Sequence, residues 1–518
     1  MKRLGWKLFL GAFALIWLLP LGSLLFKAMG SPGASWAHLE STVLWDYIGN
    51  SLILVLGTLL VSGFLGALAA WVTVRYNFPG KKVFVFFQLL PLTVPAFLGA
   101  ASWRYFLEYT GPLGTFFRSL GFPWFLSPPS GLLMGIILLG IALYPYVFLT
   151  LRPVFSHLNP HLLDTARMGG WSRKRIFFLL VLPLVRPALI GGLSLVAMES
   201  LNEYGLPSLL GFSTFTTGIF QTWFGLGDLG TALQLAMVLL GVWVVFFILE
   251  RWGRGQKQFS TGASERLGDK PVKAPRFLTW GIWTLGTLPM VVGFFVPLGQ
   301  MVHWLFYLRD ASFYQLGSHV FTTLGILVIA GGVGIVITIL AVFGRLLLRP
   351  VWSGPLRYLI PLGYALPGAI LALAVMSLGG TWLIGTWGGL ALALVMRFAG
   401  VGLPVLQSSA RQLGKNTLDA AVTMGKSPFS ALRKVLLPPW APALLASICL
   451  MAVDILKELP MTMVLRPFNF QTLATRTFEL IQNEIPMDSA PSGILLVFLA
   501  ITFAWLGQTL LERRSRGA

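Results

Sequence analysis

Long apolar runs recur along the whole chain, and no other feature constrains its fold as strongly. Each run has about 18 residues or more, the length that a helix needs to cross the hydrocarbon core of a bilayer. Hydrophobic residues make up 56% of the chain and charged residues 11%, which is outside the range of soluble globular proteins. The runs lie approximately at residues 6–26, 51–74, 83–103, 131–151, 184–203, 232–249, 277–302, 320–346, 356–378, 382–406, 441–459 and 494–511. The sequence therefore predicts an all-α polytopic membrane protein with about twelve transmembrane helices.

The charge pattern predicts the topology of these helices. The net charge is +20, but the basic residues are distributed between the runs rather than gathered on one soluble face, so no nucleic-acid partner is predicted. Basic groups precede the first run and follow the second, fourth and sixth: Lys2, Arg3 and Lys7; Arg75, Lys81 and Lys82; Arg167 and Arg173 to Arg175; Arg251 to Arg276. The positive-inside rule then places both termini in the cytoplasm. The first run also resembles a signal peptide, but it is long and lacks a small-x-small cleavage site, so we interpret it as a helix.

Two segments of the chain align with each other without a gap. They are LLDTARMGGWSRKRIFFLLVLPLVRPAL near residue 162 and TLDAAVTMGKSPFSALRKVLLPPWAPAL near residue 417. Matched pairs offset by 255 positions are Asp164 with Asp419, Gly170 with Gly425, Pro183 with Pro438, Glu199 with Asp454, Glu203 with Glu458, Phe215 with Phe470, and Thr217 with Thr472. Upstream, Pro91 corresponds best to Pro361, at an offset of 270. Such a repeat indicates a duplicated unit.

The duplication divides the chain into two homologous halves of six spans each. Residues 1–250 form the first predicted transmembrane domain and residues 277–518 the second. Between them, residues 251–276 are polar, basic and rich in Gly and Ser, as expected of a cytoplasmic linker. Because the halves have the same orientation, the predicted pseudo-twofold axis lies along the membrane normal.

The second copy contains Gly-Lys-Ser at residues 425–427, which resembles the end of a phosphate-binding loop. Such a loop also needs a glycine five positions earlier, where Ala420 stands, and it connects a strand to a helix. The first copy has Gly-Gly-Trp-Ser at the corresponding place. We therefore predict no ATP site, and no other cofactor, in this chain.

The repeated pattern is Asp-x-Ala-x-x-x-Gly, followed after nine residues by an aliphatic residue, x, Leu and Pro. It resembles the Glu-Ala-Ala loop of permease subunits of binding-protein-dependent ABC importers, with Asp in place of Glu and with Thr165 departing from the family's alanine. The matching residues are Asp164, Ala166 and Gly170 in one copy and Asp419, Ala420, Ala421 and Gly425 in the other. We expect the aspartate to cap the loop helix and the glycine to allow a turn at its end.

The resemblance implies a type I importer permease in the bacterial inner membrane, and a transport subunit rather than an enzyme. Each loop is expected to form a short coupling helix that docks on one of two ABC ATPase subunits. ATP and Mg²⁺ would bind to those partners, and a periplasmic substrate-binding protein and membrane lipids complete the expected partners. An ordinary inward turn is the alternative interpretation of each loop.

One pair of carboxylates occurs at the end of the fifth span of each half. The pairs are Glu199 with Glu203 and Asp454 with Glu458, and a spacing of four places each pair on one helix face. Ionisable residues in spans usually face protein or water, and carboxylate oxygens suit hard cations. These four residues are therefore candidates for a translocation pathway, although a solvated helix end or pairing with Lys457 explains them equally well.

The flanking segments resemble those of ferric-iron permeases, which makes ferric iron the first predicted substrate. Fused thiamine permeases are similar in form, and polyamine and phosphonate permeases are more distant. The histidines contribute little, because His157 and His161 are separated by Pro160 and have no third ligand, and we assign no metal site. Cys449 alone allows neither a disulfide framework nor a thiolate cluster.

Two other classes of protein are alternatives to an importer. A gradient-driven secondary transporter also has two parallel halves, but it does not need the repeated loop. A membrane-embedded enzyme would need a nucleophile-base cluster, a metal-binding helix pair or a complete nucleotide loop, and we find none in the sequence.

Overall fold

The computed structural model describes residues 2–517 except 31–32, 123–129, 157, 159, 255–271, 309–312, 314, 348–358, 380–381 and 414. The described chain is almost entirely helical, as the apolar runs predict. Most of the predicted linker, residues 251–276, lies outside the described residues, because 255–271 are among the exceptions.

The helices of the first predicted half include both long spans and short connecting segments. They are α1 (Lys2–Ala28), α2 (Trp36–Thr42), α3 (Leu44–Arg75), α4 (Lys81–Phe87), α5 (Ala96–Leu107), α6 (Pro112–Ser119), α7 (Gly131–Ser156), α8 (Pro160–Met168), α9 (Arg173–Ile176), α10 (Leu182–Asn202), α11 (Gly205–Leu210), α12 (Phe215–Phe220) and α13 (Leu229–Arg254). A 3₁₀ turn at Leu90–Thr93 and π turns at Phe177–Val181 and Gln221–Gly225 interrupt this series.

The second predicted half repeats the same kinds of element. Its helices are α14 (Arg276–Met290), α15 (Val296–Leu305), α16 (Leu316–Leu347), α17 (Leu359–Ala365), α18 (Gly368–Gly379), α19 (Trp387–Leu413), α20 (Lys415–Thr423), α21 (Pro428–Ala431), α22 (Leu437–Lys457), α23 (Pro460–Leu465), α24 (Leu473–Gln482) and α25 (Ala490–Gly517). The π turns are Val291–Phe295 and Leu432–Leu436, and a 3₁₀ turn covers Pro486–Ser489. Two short strands, β1 (Tyr76–Asn77) and β2 (Val272–Lys273), pair in parallel.

Nine described helical segments are long and apolar enough to span a membrane, and two bent helix pairs raise the number to eleven. The predicted spans at 83–103 and 356–378 are not single straight helices. Lys81–Thr93 meets Ala96–Ser119 at 88°, and Leu359–Ala365 meets Gly368–Gly379 at 115°. Pro95 and Pro367 lie at these breaks, where a proline disfavours a helical conformation of the residue before it.

Three of the π turns have an identifiable cause in proline. In each, the residue after the turn donates its N–H to a carbonyl five positions back, as Val296 does to Val291. The next residue is Pro297, which has no N–H to donate to the carbonyl of Val292. The indole Nε1 of Trp103 donates to that carbonyl instead, at 2.8 Å. Pro183 and Pro438 stand in the same position after the π turns that precede α10 and α22.

The chain forms two compact units whose composition differs from that of the predicted halves. One unit contains Met1–Leu39, Gly218–Met237 and Met301–Ala518, and the other contains Glu40–Thr217 and Val238–Gln300. In the first unit α1 packs against α18, and in the second α14 and the π turn that follows it pack against the 3₁₀ turn after α4. The first helix of each predicted half thus packs with elements of the other half, whereas the domain boundaries drawn from the duplication stay a prediction.

Polar contacts in each unit join the first helix of a half, or the segment that follows it, to other elements. The Gln88 side chain donates to the carbonyl of Gly286 at 3.2 Å and accepts from the Tyr144 hydroxyl at 2.9 Å. In the other unit Asp228 caps α13, because one carboxylate oxygen accepts from the Thr231 N–H at 3.0 Å and the other from the Ser35 N–H at 2.8 Å. Partial burial of the Asp228 carboxyl opposes its ionisation, but these hydrogen bonds dominate and lower its pKa to about 2.

Candidate functional site: the repeated loop helices and the carboxylate pairs

The two loop copies fold into the same local structure. Helices α8 and α20 lie 255 positions apart, as do the π turns that follow them and helices α10 and α22. Each short helix ends in a Schellman motif. In the first, Trp171 donates its N–H to the carbonyl of Ala166 at 3.0 Å and Gly170 to that of Arg167 at 2.9 Å. In the second, Lys426 donates to Ala421 at 3.1 Å and Gly425 to Val422 at 2.9 Å.

The glycine of each motif has the backbone conformation that the motif requires. The φ angles are +76° at Gly170 and +80° at Gly425, in the left-handed region that other residues rarely adopt. A Cβ atom at either position would meet no atom within 4 Å. Glycine is therefore required by the backbone conformation and not by crowding, which agrees with the predicted C-terminal turn.

The loop helices present one face outward and one face to their own chain. In α20 the side chains of Leu418 and Ala421 are buried, whereas Asp419 and Ala420 are exposed. Met424 follows directly and is 72% exposed. In the first copy Thr165 is exposed, Ala166 packs on the core around α7, and Met168 is 89% exposed. Of the two alanine positions in the pattern, the second (Ala166 or Ala421) thus packs against the rest of the chain, and the first (Thr165 or Ala420) faces outward.

The expected capping role of the aspartates is wrong. Neither helix has an acidic residue in its first turn, because Asp164 and Asp419 are each the fifth residue of a nine-residue helix. Asp164 instead forms an ion pair with Arg167 at 2.9 Å, and both side chains are about half exposed. An exposed pair of this kind contributes little to stability. The Asp164 carboxylate and the Asp419 side chain are therefore outward-facing charges rather than caps.

The carboxylates at the ends of α10 and α22 mark a repeated helix break. Glu203 and Glu458 are the residues at which these helices end, and both have extended backbones with ψ near 120°. The Glu203 carboxylate accepts from the Leu206 N–H at 2.9 Å, and the Glu458 carboxylate accepts from the Met461 N–H at 2.8 Å. Each side chain thus satisfies an amide of the short helix that follows, α11 or α23.

Glu458 is held more tightly than Glu203. It is 5% exposed, and its second oxygen accepts from the N–H and the hydroxyl of Thr462 at 2.9 and 2.8 Å. Glu203 is partly exposed. One turn earlier, the Asp454 carboxylate lies 3.8 Å from the Lys457 ammonium, which is the alternative to a pathway function that the sequence offers. Glu199, the corresponding residue of the first pair, is partly exposed. The structure therefore assigns a local structural function to the last carboxylate of each pair.

After the helix breaks at Glu203 and Glu458, the two halves no longer correspond at the offset of 255 that the sequence pairing predicts. The Phe215 N–H donates to the Ser51 hydroxyl at 3.1 Å, and the Leu473 N–H donates to the Thr323 hydroxyl at 2.8 Å. The equivalent residues are thus Phe215 and Leu473, not Phe215 and Phe470, because three residues are inserted in the second copy. Before the repeated loops the offset is 272, because α3 corresponds to α16 and α5 corresponds to α18. The predicted pairing of Pro91 with Pro361, at an offset of 270, is therefore also wrong.

Residues 62–255 match the family described as binding-protein-dependent transport system inner membrane component. An Fe(3+)-transport system permease protein of Haemophilus influenzae is 23% identical over 471 residues, and the alignment covers 88% of both proteins. The chain is an ABC importer permease. Its relatives are transport components rather than enzymes, and their membrane location agrees with the multi-pass helical structure of this permease.

Other relatives of the permease carry a different substrate in their names. A probable sulfate transport system permease protein of Chlorokybus atmophyticus is 28% identical over 202 residues, which cover 39% of this chain and 69% of that protein. A sulfate transport system permease protein of Salmonella typhimurium is 28% identical over 205 residues, which cover 37% of this chain and 68% of that protein. Similarity thus establishes the class of the permease and leaves two substrates to be compared.

Arg397, which lies inside α19 of the permease, was not predicted as a functional residue. It is 2% exposed, and its guanidinium donates to the carbonyl of Leu366 at 3.4 Å. That carbonyl lies beside the break at Pro367. The signal was available, because a single arginine within an apolar span is rare and usually has a structural or transport function.

The structure describes only part of the histidine pair for which no metal site was predicted. His157 lies outside the described residues, and the side chain of His161 is not among those described. Among the side chains that the structure does describe, no group of three or more His, Cys, Asp or Glu residues is arranged to hold a metal ion. Cys449 is buried in α22 of the permease.

Proposed function

We propose that this permease forms the translocation pathway of an ATP-driven importer and that α8 and α20 are its coupling helices. The observation that supports this proposal best is the pair of short helices with the same Schellman end, each anchored by its alanine and each exposing a methionine. An exposed apolar side chain at the tip of a rigid helix is suited to insertion in a groove of a partner.

The mechanism requires two ATPase subunits, with ATP and Mg²⁺ bound to them and not to this chain. Closure of the ATPase pair on ATP draws the two coupling helices together and changes the permease from inward-open to outward-open. A two-state element biased by a ligand bound elsewhere is what such coupling requires. In the orientation that the positive-inside rule predicts, both termini and both coupling helices lie on the cytoplasmic side.

Docking is tested by site-specific crosslinking. Cys449 is the single cysteine and is buried, so Cys449→Ser provides a cysteine-free background. In that background Met424→Cys, labelled with a benzophenone maleimide, is expected to crosslink to the ATPase, and Leu418→Cys, whose side chain is 2% exposed, serves as the matched control on the same helix. Equal crosslinking by both variants, or none by Met424→Cys, would contradict docking through this face.

We further propose ferric iron, delivered by a periplasmic binding protein, as the substrate. Support comes from the iron permease of Haemophilus influenzae, whose alignment covers 88% of this chain, and from Glu199 and Asp454, the carboxylates that lie one turn before each helix break. Carboxylates at a pathway favour a hard cation. Glu203 and Glu458 would then hold the helix break next to that pathway.

Sulfate is the second candidate, because relatives named as sulfate permeases are 28% identical over about 200 residues. Thiamine, polyamines and phosphonate are the remaining alternatives from the sequence. The variant pair Glu199→Gln and Asp454→Asn separates the two main candidates, since loss of these negative charges is expected to slow uptake of a cation and not of an anion. Unchanged iron uptake in both variants would remove these carboxylates from the pathway.

A further inference from the structure

A cavity of about 510 Å³ lies between α3, α7 and α10, next to the coupling helix α8. We call it the α3–α10 cavity. Its wall is apolar and includes Phe64, Trp71, Phe155, Phe177 and Leu189. The rings of Trp71 and Phe155 meet edge to face, with their centroids 5.5 Å apart. A volume of this size is within the range of ligand-binding pockets, roughly 300 to 1,000 Å³.

The cavity is open on the outer surface of the helices. Phe64 is 69% exposed and Phe177 is 49% exposed, although both line the cavity. Both side chains belong to apolar segments that span or approach the membrane. In a membrane such a surface is in contact with lipid acyl chains rather than water.

Arg167 is the one charged residue in the described lining of the cavity. Its side chain is 56% exposed and pairs with Asp164 on the same helix. Lys174 and Arg175 are exposed a few residues further along the chain, just before the lining residue Ile176. The guanidinium of Arg175 lies over the ring of Trp171, 4.8 Å from its centroid. The apolar cavity is thus bordered by a cluster in which positive charge exceeds negative charge.

We propose that the α3–α10 cavity binds an anionic phospholipid of the surrounding membrane, with an acyl chain in the cavity and the headgroup phosphate on Arg167. Both parts of the site are needed to argue for this ligand. Free phosphate would not use the apolar wall, and a neutral lipid would not use the excess of positive charge. Trp71 near the end of α3, which terminates at Arg75, is in the position of an interfacial aromatic residue.

The site belongs to one copy of the repeat. At offset 255, Val422 stands where the first copy has Arg167, and Phe429 stands where it has Lys174. Bound lipid would therefore contact α8 and not α20. Its effect on transport rests on the proposed coupling function of α8, whereas its binding does not.

Native mass spectrometry of the purified permease tests the binding without the ATPase, so its failure is distinguishable from failure of the proposed function. The protein is exchanged into mixed micelles with equal amounts of phosphatidylglycerol and phosphatidylcholine, and the retained lipids are counted. We expect the wild type to retain phosphatidylglycerol preferentially. Arg167→Val, which introduces the residue of the second copy, should reduce that preference roughly fivefold, as expected for one basic side chain near an anionic headgroup.

Two further variants make the result decisive. Ala67 lines the cavity, so Ala67→Phe should fill it and reduce retention of both lipids. Lys426 is exposed in the second copy, away from this lining, so Lys426→Val removes the same charge and should leave the lipid count unchanged. The proposal is overturned if Arg167→Val and Lys426→Val retain phosphatidylglycerol equally, or if Ala67→Phe retains as much lipid as the wild type.

Discussion

Replacement of Gly425 by alanine should weaken the end of α20 by a calculable amount. Gly425 has φ +80°, and a Cβ atom there would meet no atom within 4 Å. The whole penalty therefore comes from the left-handed backbone, roughly 1 to 2 kcal/mol for a residue with a Cβ. That free energy corresponds to a factor of about 5 to 30 in the population of the capped end. The Lys426 N–H, which donates to Ala421 at 3.1 Å, reports on it directly.

The assay combines amide hydrogen exchange at residues 424–426 with ATP-dependent uptake. Gly425→Ala should raise the exchange rate of the Lys426 amide by that factor and lower uptake several-fold, and Gly425→Asn should have a smaller effect, because asparagine tolerates this conformation. The matched control is Gly169→Ala, where the added Cβ meets Thr165 at an ordinary 3.4 Å. Wild-type protection of the Lys426 amide in Gly425→Ala would refute the reasoning.

Three further predictions test the geometry elsewhere. Glu458→Gln leaves the buried Thr462 N–H facing an amide N–H₂ and should lower the free energy of unfolding by about 2 kcal/mol. Glu203→Gln should lower it less, because the glutamine oxygen still accepts from the Leu206 N–H. Equal thermal unfolding of the two variants in detergent would contradict this prediction. Asp228 has a pKa lowered to about 2, so its stabilising contribution is present above its unfolded pKa of about 4 and is lost as the pH falls towards 2. The melting temperature of Asp228→Asn should therefore lie below that of wild type at pH 6 and converge with it near pH 2. A constant difference between the two melting temperatures would argue against the assignment. Pro438→Ala restores an N–H after the π turn at Leu432–Leu436 and should let that turn relax towards α-helix. This change should lower uptake several-fold with little change in melting temperature, and unchanged uptake would dissociate the π turn from coupling.

The repeated loop was predictable because its requirements are local. A Schellman end needs a glycine at one position, and an aliphatic residue, x, Leu and Pro precede each fifth span, so Gly170 and Gly425 identify both copies from sequence. The orientation of the aspartates was not predictable, because it depends on where each helix begins. Since α8 begins at Pro160 and α20 at Lys415, Asp164 and Asp419 fall in mid-helix.

The alignment of the halves failed where the backbone is irregular. Pattern matching paired Phe215 with Phe470, whereas hydrogen bonds from the main chain to Ser51 and Thr323 show that Leu473 is the equivalent residue. An insertion in a loop changes no hydrophobic period and therefore leaves little trace in one sequence. The bends at Pro95 and Pro367 were missed for a related reason, since the apolar run continues through each break.

The carboxylates were found from sequence, but their separate functions were not. A spacing of four residues placed Glu199 with Glu203 and Asp454 with Glu458 on one face. Only the structure shows that the helix ends at Glu458 and that its carboxylate turns to the amides of α23. Tertiary geometry, rather than residue type, separates a group that fixes a helix break from a candidate pathway group.

The most direct test of the proposed function is transport by the reconstituted complex. Proteoliposomes containing this permease, its ATPase and its binding protein are supplied with radiolabelled ferric iron or radiolabelled sulfate, with and without ATP, and with Gly425→Ala as the coupling variant. We predict ATP-dependent accumulation of iron that falls several-fold in the variant. Accumulation of sulfate alone would contradict the proposed substrate, and accumulation of either substrate without ATP would contradict the coupled mechanism.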